Sequence, residues 1–144
     1  MAHCNGRDTV MAAIEAGTDS IEHGCFMDAE CRQALAESRS IWVPTIAAIA
    51  AFAGRSGSGS EAVYTVRPGF DPDITRKTVE ELMKSVSEAS KAGAMIAAGS
   101  DSGAFGVPHG SGTETEYRLL RAAGLTEQQI AKGNRALADR FMRR

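Results

Sequence analysis

Short apolar segments alternate along the chain with segments whose apolar side chains recur at helical spacing. Residues 7–16 are rich in alanine and place their apolar side chains on one helical face. Gly17 follows, where a helix commonly ends in a left-handed residue. The short segment 20–22 then leads to His23, so the pattern predicts a helix followed by a strand that carries an imidazole at its end.

The same alternation continues through the middle of the chain. Asp28 is placed to cap a second helix, and residues 40–45 are β-branched and aromatic, which is typical of a strand. Apolar residues from Ile74 onward fit one face of a long helix that ends at Gly93. The apolar run 94–98 then predicts a buried strand.

The last third of the chain predicts two helices. Thr113 with Glu116, and Thr126 with Gln129, each have the spacing of a capping box, in which side chain and backbone bond reciprocally at a helix start. Gly133 lies inside the second helix and costs about 1 kcal/mol relative to alanine. No repeat of fixed period is evident.

One stretch has a different composition. Residues 54–60 consist almost entirely of glycine and serine, and the irregular sequence continues to Pro72. Such a stretch is long for a connection inside a compact domain, and long connections are often functional. The sequence therefore predicts a mobile active-site loop here.

Strands separated by helices predict an α/β fold with parallel strands joined by right-handed crossovers. In such folds ligands bind beyond the carboxyl ends of the strands, where His3, His23 and Asp101 all fall. Asp101 follows the fourth strand, roughly 14 Å from the first across a flat sheet. It can share an ion with His3 only if the sheet curls as in a barrel.

Length and composition define the class of protein further. The chain has 144 residues, 43% of them hydrophobic, which suits one domain spanning residues 1–144. A net charge of -2 gives no reason to expect nucleic acid or a membrane surface as partner, so a small-molecule substrate is expected. Three cysteines without paired spacing, no export signal and no apolar run long enough to span a bilayer indicate a cytoplasmic protein.

The three candidate ligands predict metal-assisted hydrolysis. Histidine and aspartate suit zinc, and equally manganese, iron or cobalt. A bound zinc ion lowers the pKa of its water and polarises a carbonyl oxygen. Asp101 can take a proton from that water and pass it to a leaving nitrogen. His109, in a loop rich in glycine and proline just beyond Asp101, is a candidate substrate contact.

Simpler roles are open for the same residues. Asp101 lies in ordinary turn composition and could merely cap a turn. Cys4 and Cys25 follow the candidate histidines closely, and thiolates bind zinc, although small buried hydrophobic residues are the commoner identity. We expect Trp42 to pack in the core.

The ordered motifs along the chain resemble the metal-dependent amidohydrolase superfamily, in particular its imidazolonepropionase-like and Xaa-Pro dipeptidase-like branch. They are Ala2-His3 with Asn5-Gly6, Asp19-Ser-Ile-Glu-His-Gly24, Val43-Pro-Thr45 and Gly99-Ser-Asp-Ser-Gly103 continuing to Gly110. The resemblance implies that these segments are the last four βα units of a partial TIM-like (β/α)₈ barrel. It also implies that His3 and His23 bind one divalent ion, and that Asp101 binds a second ion and acts as the catalytic base.

The chain departs from that family in its missing parts. The His-x-His pair of the first barrel strand, the lysine of the fourth strand and the flanking β-sandwich domain have no counterpart in this sequence. We therefore expect the C-terminal half of a barrel, whose open edges favour a homo-oligomer. Two functions are in play: a hydrolase of carbon-nitrogen bonds in amides, lactams or dipeptides, and a catalytically silent fragment that binds metal or oligomerises.

Overall fold

Three short parallel strands and six helices make up the part of the chain that the computed structural model describes, residues 1–52 and 69–142. The sheet has the order β1-β2-β3, with Ala2 of β1 beside Ile21 of β2 and Ile21 beside Trp42 of β3. The predicted α/β class with parallel strands is therefore confirmed. The elements are β1 Ala2–Cys4, α1 Arg7–Glu15, β2 Ser20–His23, α2 Ala29–Glu37, β3 Ile41–Val43, α3 Ile46–Phe52, α4 Pro72–Ala92, α5 Ser111–Ala122 and α6 Glu127–Met142.

The predicted fourth strand, residues 94–98, joins the sheet through a single parallel bridge between Trp42 and Ile96. The Trp42 backbone N–H donates to the Met95 carbonyl, and the Ala97 N–H donates to the Trp42 carbonyl, both at 2.9 Å. The prediction of a full strand is wrong, because only this one bridge forms. The segment nevertheless extends the parallel arrangement by one position.

Helix α6 covers the outer edge of segment 94–98, the edge that faces away from β3. The Asn134 side-chain oxygen accepts a hydrogen bond from the Ala98 backbone N–H at 2.7 Å. Gly133 lies so close that a Cβ at this position would be 1.8 Å from the Ile96 carbonyl oxygen. Gly133 lowers the helix propensity of α6. The absence of a side chain at this position nevertheless allows α6 to approach the backbone of segment 94–98.

Most predicted helix ends are confirmed. The Asp28 carboxylate accepts from the Cys31 backbone N–H at 2.8 Å and caps α2. Gly17 follows α1, and Gly93 ends α4, each with a positive φ. At the start of α6, Thr126 and Gln129 form the predicted capping box, with the Gln129 N–H donating to the Thr126 hydroxyl and the Thr126 N–H donating to the Gln129 side chain.

The other predicted capping box is wrong. Helix α5 begins at Ser111 after Gly110, which provides no side-chain cap. Thr113 therefore lies within the first turn, and Glu116 points into the protein, where its side chain is fully buried. The spacing of the two residues is that of a capping box, but the Glu116 carboxylate accepts hydrogen bonds from the start of α3 instead.

The middle of the chain differs from the sequence prediction at helix α3, for which no helix is predicted. The sequence of α3 is a continuous apolar run of alanine, isoleucine and phenylalanine without a polar face. The predicted loop over residues 54–72 falls mostly on residues 53–68, which lie outside the described residues. Helix α4 begins at Pro72 with the Asp71 side chain as its cap, two residues before the predicted Ile74.

The main core lies between the sheet and all six helices, with Ile46 contributed by α3. Trp42 is fully buried there, as predicted. A second cluster on the opposite side of β3 contains Ile41, Val43 and Ala97 beneath α6. Among the helices described, none is long and apolar enough to cross a membrane.

Candidate functional site

His3 and His23 meet at the carboxyl ends of the two neighbouring strands β1 and β2. The His3 Nδ1 atom lies 2.8 Å from the His23 Nε2 atom, and the ring centroids are 4.2 Å apart in an edge arrangement. Parallel pairing of the strands brings them together, since residue 3 is paired with residue 22. The structure therefore brings together two of the three predicted metal ligands.

Four described residues other than glycine have a positive φ, which side chains rarely adopt: Phe26 in the loop after β2, and three residues of the candidate site. His23 has φ 66°, Thr45 has φ 49° and Asp101 has φ 54°. The left-handed region is uncommon outside glycine and costs most for a β-branched residue such as Thr45. Strain of this kind is concentrated at functional sites, where the surrounding structure maintains it. His23 is the last residue of β2, and Thr45 and Asp101 follow β3 and segment 94–98 by two and three residues.

His23 is held through both its ring and its backbone. The Nδ1 atom lies 2.7 Å from the Thr45 hydroxyl, and the His23 carbonyl accepts from the Trp42 indole N–H at 2.9 Å. Burial and the neighbouring His3 lower the pKa of His23, while the carboxylates of Asp101 and Glu22 oppose this shift. The ring therefore favours its neutral form, which is the form that binds metal ions.

The loops that follow the two histidines are bonded to each other. The Asn5 side-chain oxygen accepts from the Cys25 N–H at 2.8 Å, and the Gly6 N–H donates to the Cys25 carbonyl at 2.7 Å. These bonds hold the turns after His3 and His23 in one arrangement. Cys4 and Cys25 are buried free thiols, and burial raises the pKa of Cys25 to about 11. Neither thiol therefore has the thiolate character of a metal ligand.

Asp101 and His109 lie in one exposed turn at the same edge. The Asp101 carbonyl accepts from the Ala104 N–H at 3.0 Å, and the His109 ring lies about 3.6 Å from the Cβ position of Gly103. Asp101 is near enough for its charge to affect His23. Across residues 1–52 and 69–142, however, no three or more histidine, cysteine, aspartate or glutamate side chains are grouped to hold a metal ion.

Two residues of this site, Thr45 and Glu116, have roles that the sequence did not indicate. Thr45 was noted within Val43-Pro-Thr45 without a role, and Glu116 was assigned to a helix cap. The Glu116 carboxylate is buried and accepts from the backbone N–H groups of Ile46 at 3.1 Å and Ala47 at 2.7 Å. Burial raises the pKa of Glu116 to about 7, although these two donors act in the opposite direction. The sequence signal for the buried role of Glu116 is an acidic residue on the helix face that also carries Gly112 and Leu120.

The fold and the site define a parallel α/β protein with paired histidines at the carboxyl edge of its sheet, and its sequence and fold are similar to those of known proteins. Ochratoxinase from Aspergillus niger is 30% identical over 137 residues, which are 95% of this chain and 26% of that protein. The chain thus spans about a quarter of that relative. No family model matches the chain.

Solved structures show the same relationship. A Xaa-Pro dipeptidase with bound methionine has a TM-score of 0.66 at 25% identity, covering 94% of this chain and 32% of that chain. The crystal structure of A. niger ochratoxinase gives 0.65 at 28%, over 92% and 27%. A protein assigned as a prolidase from Bifidobacterium longum gives 0.71 at 25%, over 96% and 34%.

The resemblance predicted from the sequence is therefore confirmed. The homologues are an amidohydrolase-superfamily ochratoxinase and Xaa-Pro dipeptidase or prolidase structures, and this chain corresponds to part of each. These relatives are hydrolases.

Proposed function

We propose that this chain supplies part of a metal-dependent hydrolase that cleaves carbon-nitrogen bonds in amides, lactams or dipeptides. The observation that carries the proposal is the pair of imidazole nitrogens, His3 Nδ1 and His23 Nε2, which face each other at 2.8 Å at the carboxyl edge of the sheet. Its homologues are hydrolases, and the solved structures among them share its fold. The substrate is a small molecule.

The chemistry of this pair fits a divalent ion, with zinc the first choice and manganese, iron or cobalt the alternatives. Two nitrogen ligands at 2.0 to 2.1 Å from a tetrahedral ion lie about 3.3 Å apart. The rings would have to separate by only about half an ångström from their present distance. When bound, the ion supplies Lewis acidity, lowering the pKa of water and polarising the scissile carbonyl.

Asp101 and His109 have the roles of base and substrate contact in this proposal. Asp101 removes a proton from the attacking water and delivers it to the leaving nitrogen, so the carboxylate is restored after each turnover. In this proposal Asp101 is also a third ligand to the ion held by His3 and His23, and not a ligand to the second ion that the family resemblance implies. His109 lies in the same turn, exposed beside Gly103, where it can donate a hydrogen bond to a substrate oxygen or nitrogen.

We also propose that the chain is a single domain that forms the last four units of a (β/α)₈ barrel and assembles as a homo-oligomer in the cytoplasm. The four parallel segments and their crossovers support the barrel. A closed ring of two copies would pair β1 of one with segment 94–98 of the other, and α6 would have to leave that edge. Among the described residues no strand pairs with the outer edge of β1, and this edge supports a pairing that leaves α6 in place.

The second candidate function is a catalytically silent module that binds metal or oligomerises. It is favoured because the described residues bring together two candidate ligands, His3 and His23, and no group of three or more.

Hydrolysis of a panel of Xaa-Pro dipeptides, N-acyl amino acids and lactams, with zinc or manganese added, separates the two candidates. An active enzyme would lose turnover in Asp101→Asn but keep it in Glu15→Gln, which changes an exposed carboxylate at the end of α1. Turnover that is equal in both variants would remove Asp101 as the base. No turnover with any substrate, together with bound metal, would favour the silent module.

A further inference from the structure

Thr45 occupies the position just before helix α3 but does not cap it. A threonine at this position commonly accepts a hydrogen bond from the helix backbone with its own hydroxyl. Here Glu116, which is 69 positions further along the chain than Ala47, accepts from the first two backbone N–H groups of α3 instead. The Thr45 hydroxyl is therefore available to bond His23 Nδ1 at 2.7 Å.

The backbone at Thr45 is held in a conformation that needs such support. Its φ of 49° is costly for a β-branched residue, and its side chain is buried. The Thr45 carbonyl accepts from the Ala48 N–H at 3.0 Å, which fixes the turn into α3. Strain at a buried side chain that contacts an active-site histidine points to a function for that contact.

We propose that Thr45, held in place by Glu116, is a positioning residue that keeps His23 protonated at Nδ1 and leaves the Nε2 lone pair toward His3. Histidines that bind metal ions commonly donate their second ring N–H to a neighbouring acceptor, which fixes the tautomer and the ring orientation. The threonine hydroxyl is that acceptor. The consequence for metal affinity rests on the proposed function, whereas the tautomer does not.

Nitrogen-15 NMR of the metal-free chain, at a pH where His23 is neutral, tests the tautomer directly. The expected spectrum shows His23 with a protonated Nδ1 and an unprotonated Nε2. Thr45→Val keeps the β-branched shape and removes the hydroxyl, so His23 should shift toward protonation at Nε2, and Thr45→Ser should restore the original form. A wild-type His23 protonated at Nε2 would overturn the proposal.

Zinc affinity, measured by competition with a chromophoric chelator, gives the second readout. Thr45→Val should weaken zinc binding about ten- to a hundredfold, and Thr45→Ser should recover most of the loss. Thr78→Val, which removes a hydroxyl that donates to the Ile74 carbonyl within α4 at 3.0 Å, is the matched control and should bind zinc as the wild type does. Equal zinc affinity in Thr45→Val and Thr45→Ser would overturn the positioning role.

The two readouts separate this proposal from the proposed function. Protonation at Nδ1 that depends on the Thr45 hydroxyl, in a chain that binds no zinc, would support the positioning contact and remove the metal site. Zinc that is bound through His3 and His23 but is insensitive to Thr45→Val would support the metal site and remove the positioning role of Thr45. In either case the wild-type spectrum is informative even if one variant is poorly folded.

Discussion

Glu116 of helix α5 accepts a hydrogen bond from the Ala47 backbone N–H at 2.7 Å and thereby ties α5 to the start of α3. Its side chain is fully buried. Desolvation disfavours a buried carboxylate, whereas backbone donors favour it, and here desolvation prevails. The contact therefore makes the stability of the chain depend on pH.

We predict that the free energy of unfolding contributed by Glu116 falls as the pH rises from 4.5 to about 7. Its pKa is raised to about 7 in the folded protein. Between these values the unfolded chain has released the proton while the folded chain still holds it, so rising pH favours unfolding. The loss is about 3 kcal/mol, since each pKa unit corresponds to 1.36 kcal/mol.

Urea denaturation of the wild type and Glu116→Gln at several pH values measures this loss. The glutamine cannot ionise, so the difference in unfolding free energy between the two proteins should change over that range and level off above it. Glu127→Gln, at an exposed carboxylate in α6, controls for the replacement of a carboxylate by an amide. Parallel curves for the wild type and Glu116→Gln would contradict a raised pKa.

Gly133→Ala should destabilise the protein by about 1 to 3 kcal/mol, the usual cost of overpacking. Helix propensity alone predicts a gain of about 1 kcal/mol, so the sign of the effect is diagnostic. The added Cβ would lie 1.8 Å from the Ile96 carbonyl oxygen and force α6 away from segment 94–98. Thermal denaturation measures the change in stability, with Lys132→Ala at an exposed neighbouring position as the control. A stabilised Gly133→Ala would show that α6 does not approach the edge of segment 94–98.

The three cysteines should react slowly with a thiol reagent in the native chain. Cys4, Cys25 and Cys31 are all buried and free, and burial raises the pKa of each. Because the thiolate is the reacting form, both access and ionisation are unfavourable. A colorimetric thiol assay should titrate all three quickly only after denaturation. Rapid labelling of Cys25 in the native chain would mean that the loops after the histidines open readily.

The proposed homo-oligomer predicts a mass of at least two chains by sedimentation equilibrium at micromolar concentration. Strand β1 is the outer strand of the sheet that the described residues form, and an unpaired edge of a sheet is a site for pairing with another chain. A single-chain mass over the whole concentration range would remove this proposal. Such a result would leave the metal site untouched, since both histidines come from the same chain.

Local rules were sufficient for much of the fold. The cap at Asp28, the glycine after α1 and the capping box at Thr126 depend on neighbouring residues, and each can be recognised from spacing. The Thr113 and Glu116 box has the same spacing, but its carboxylate bonds to α3 instead. The spacing of neighbouring residues cannot identify a partner so far away in the sequence.

The candidate site divides in the same way. His3 and His23 could be paired from the sequence because each ends a predicted strand, and neighbouring parallel strands bring such residues together. The contact between Thr45 and His23 could not be predicted, because it depends on a positive φ at both residues. Segment 94–98 was predicted as a strand from its apolar sequence, but whether a ladder forms depends on the neighbour that occupies its edge.

Metal content after dialysis is the measurement that tests the central claim most directly. Plasma mass spectrometry of the wild type, His23→Ala and Asp101→Asn should find close to one zinc or manganese ion per wild-type chain and a clear loss in both variants. Glu15→Gln, at the end of α1, should retain the wild-type content. Metal at background level in the wild type, or metal retained in His23→Ala, would contradict a metal site at the paired histidines.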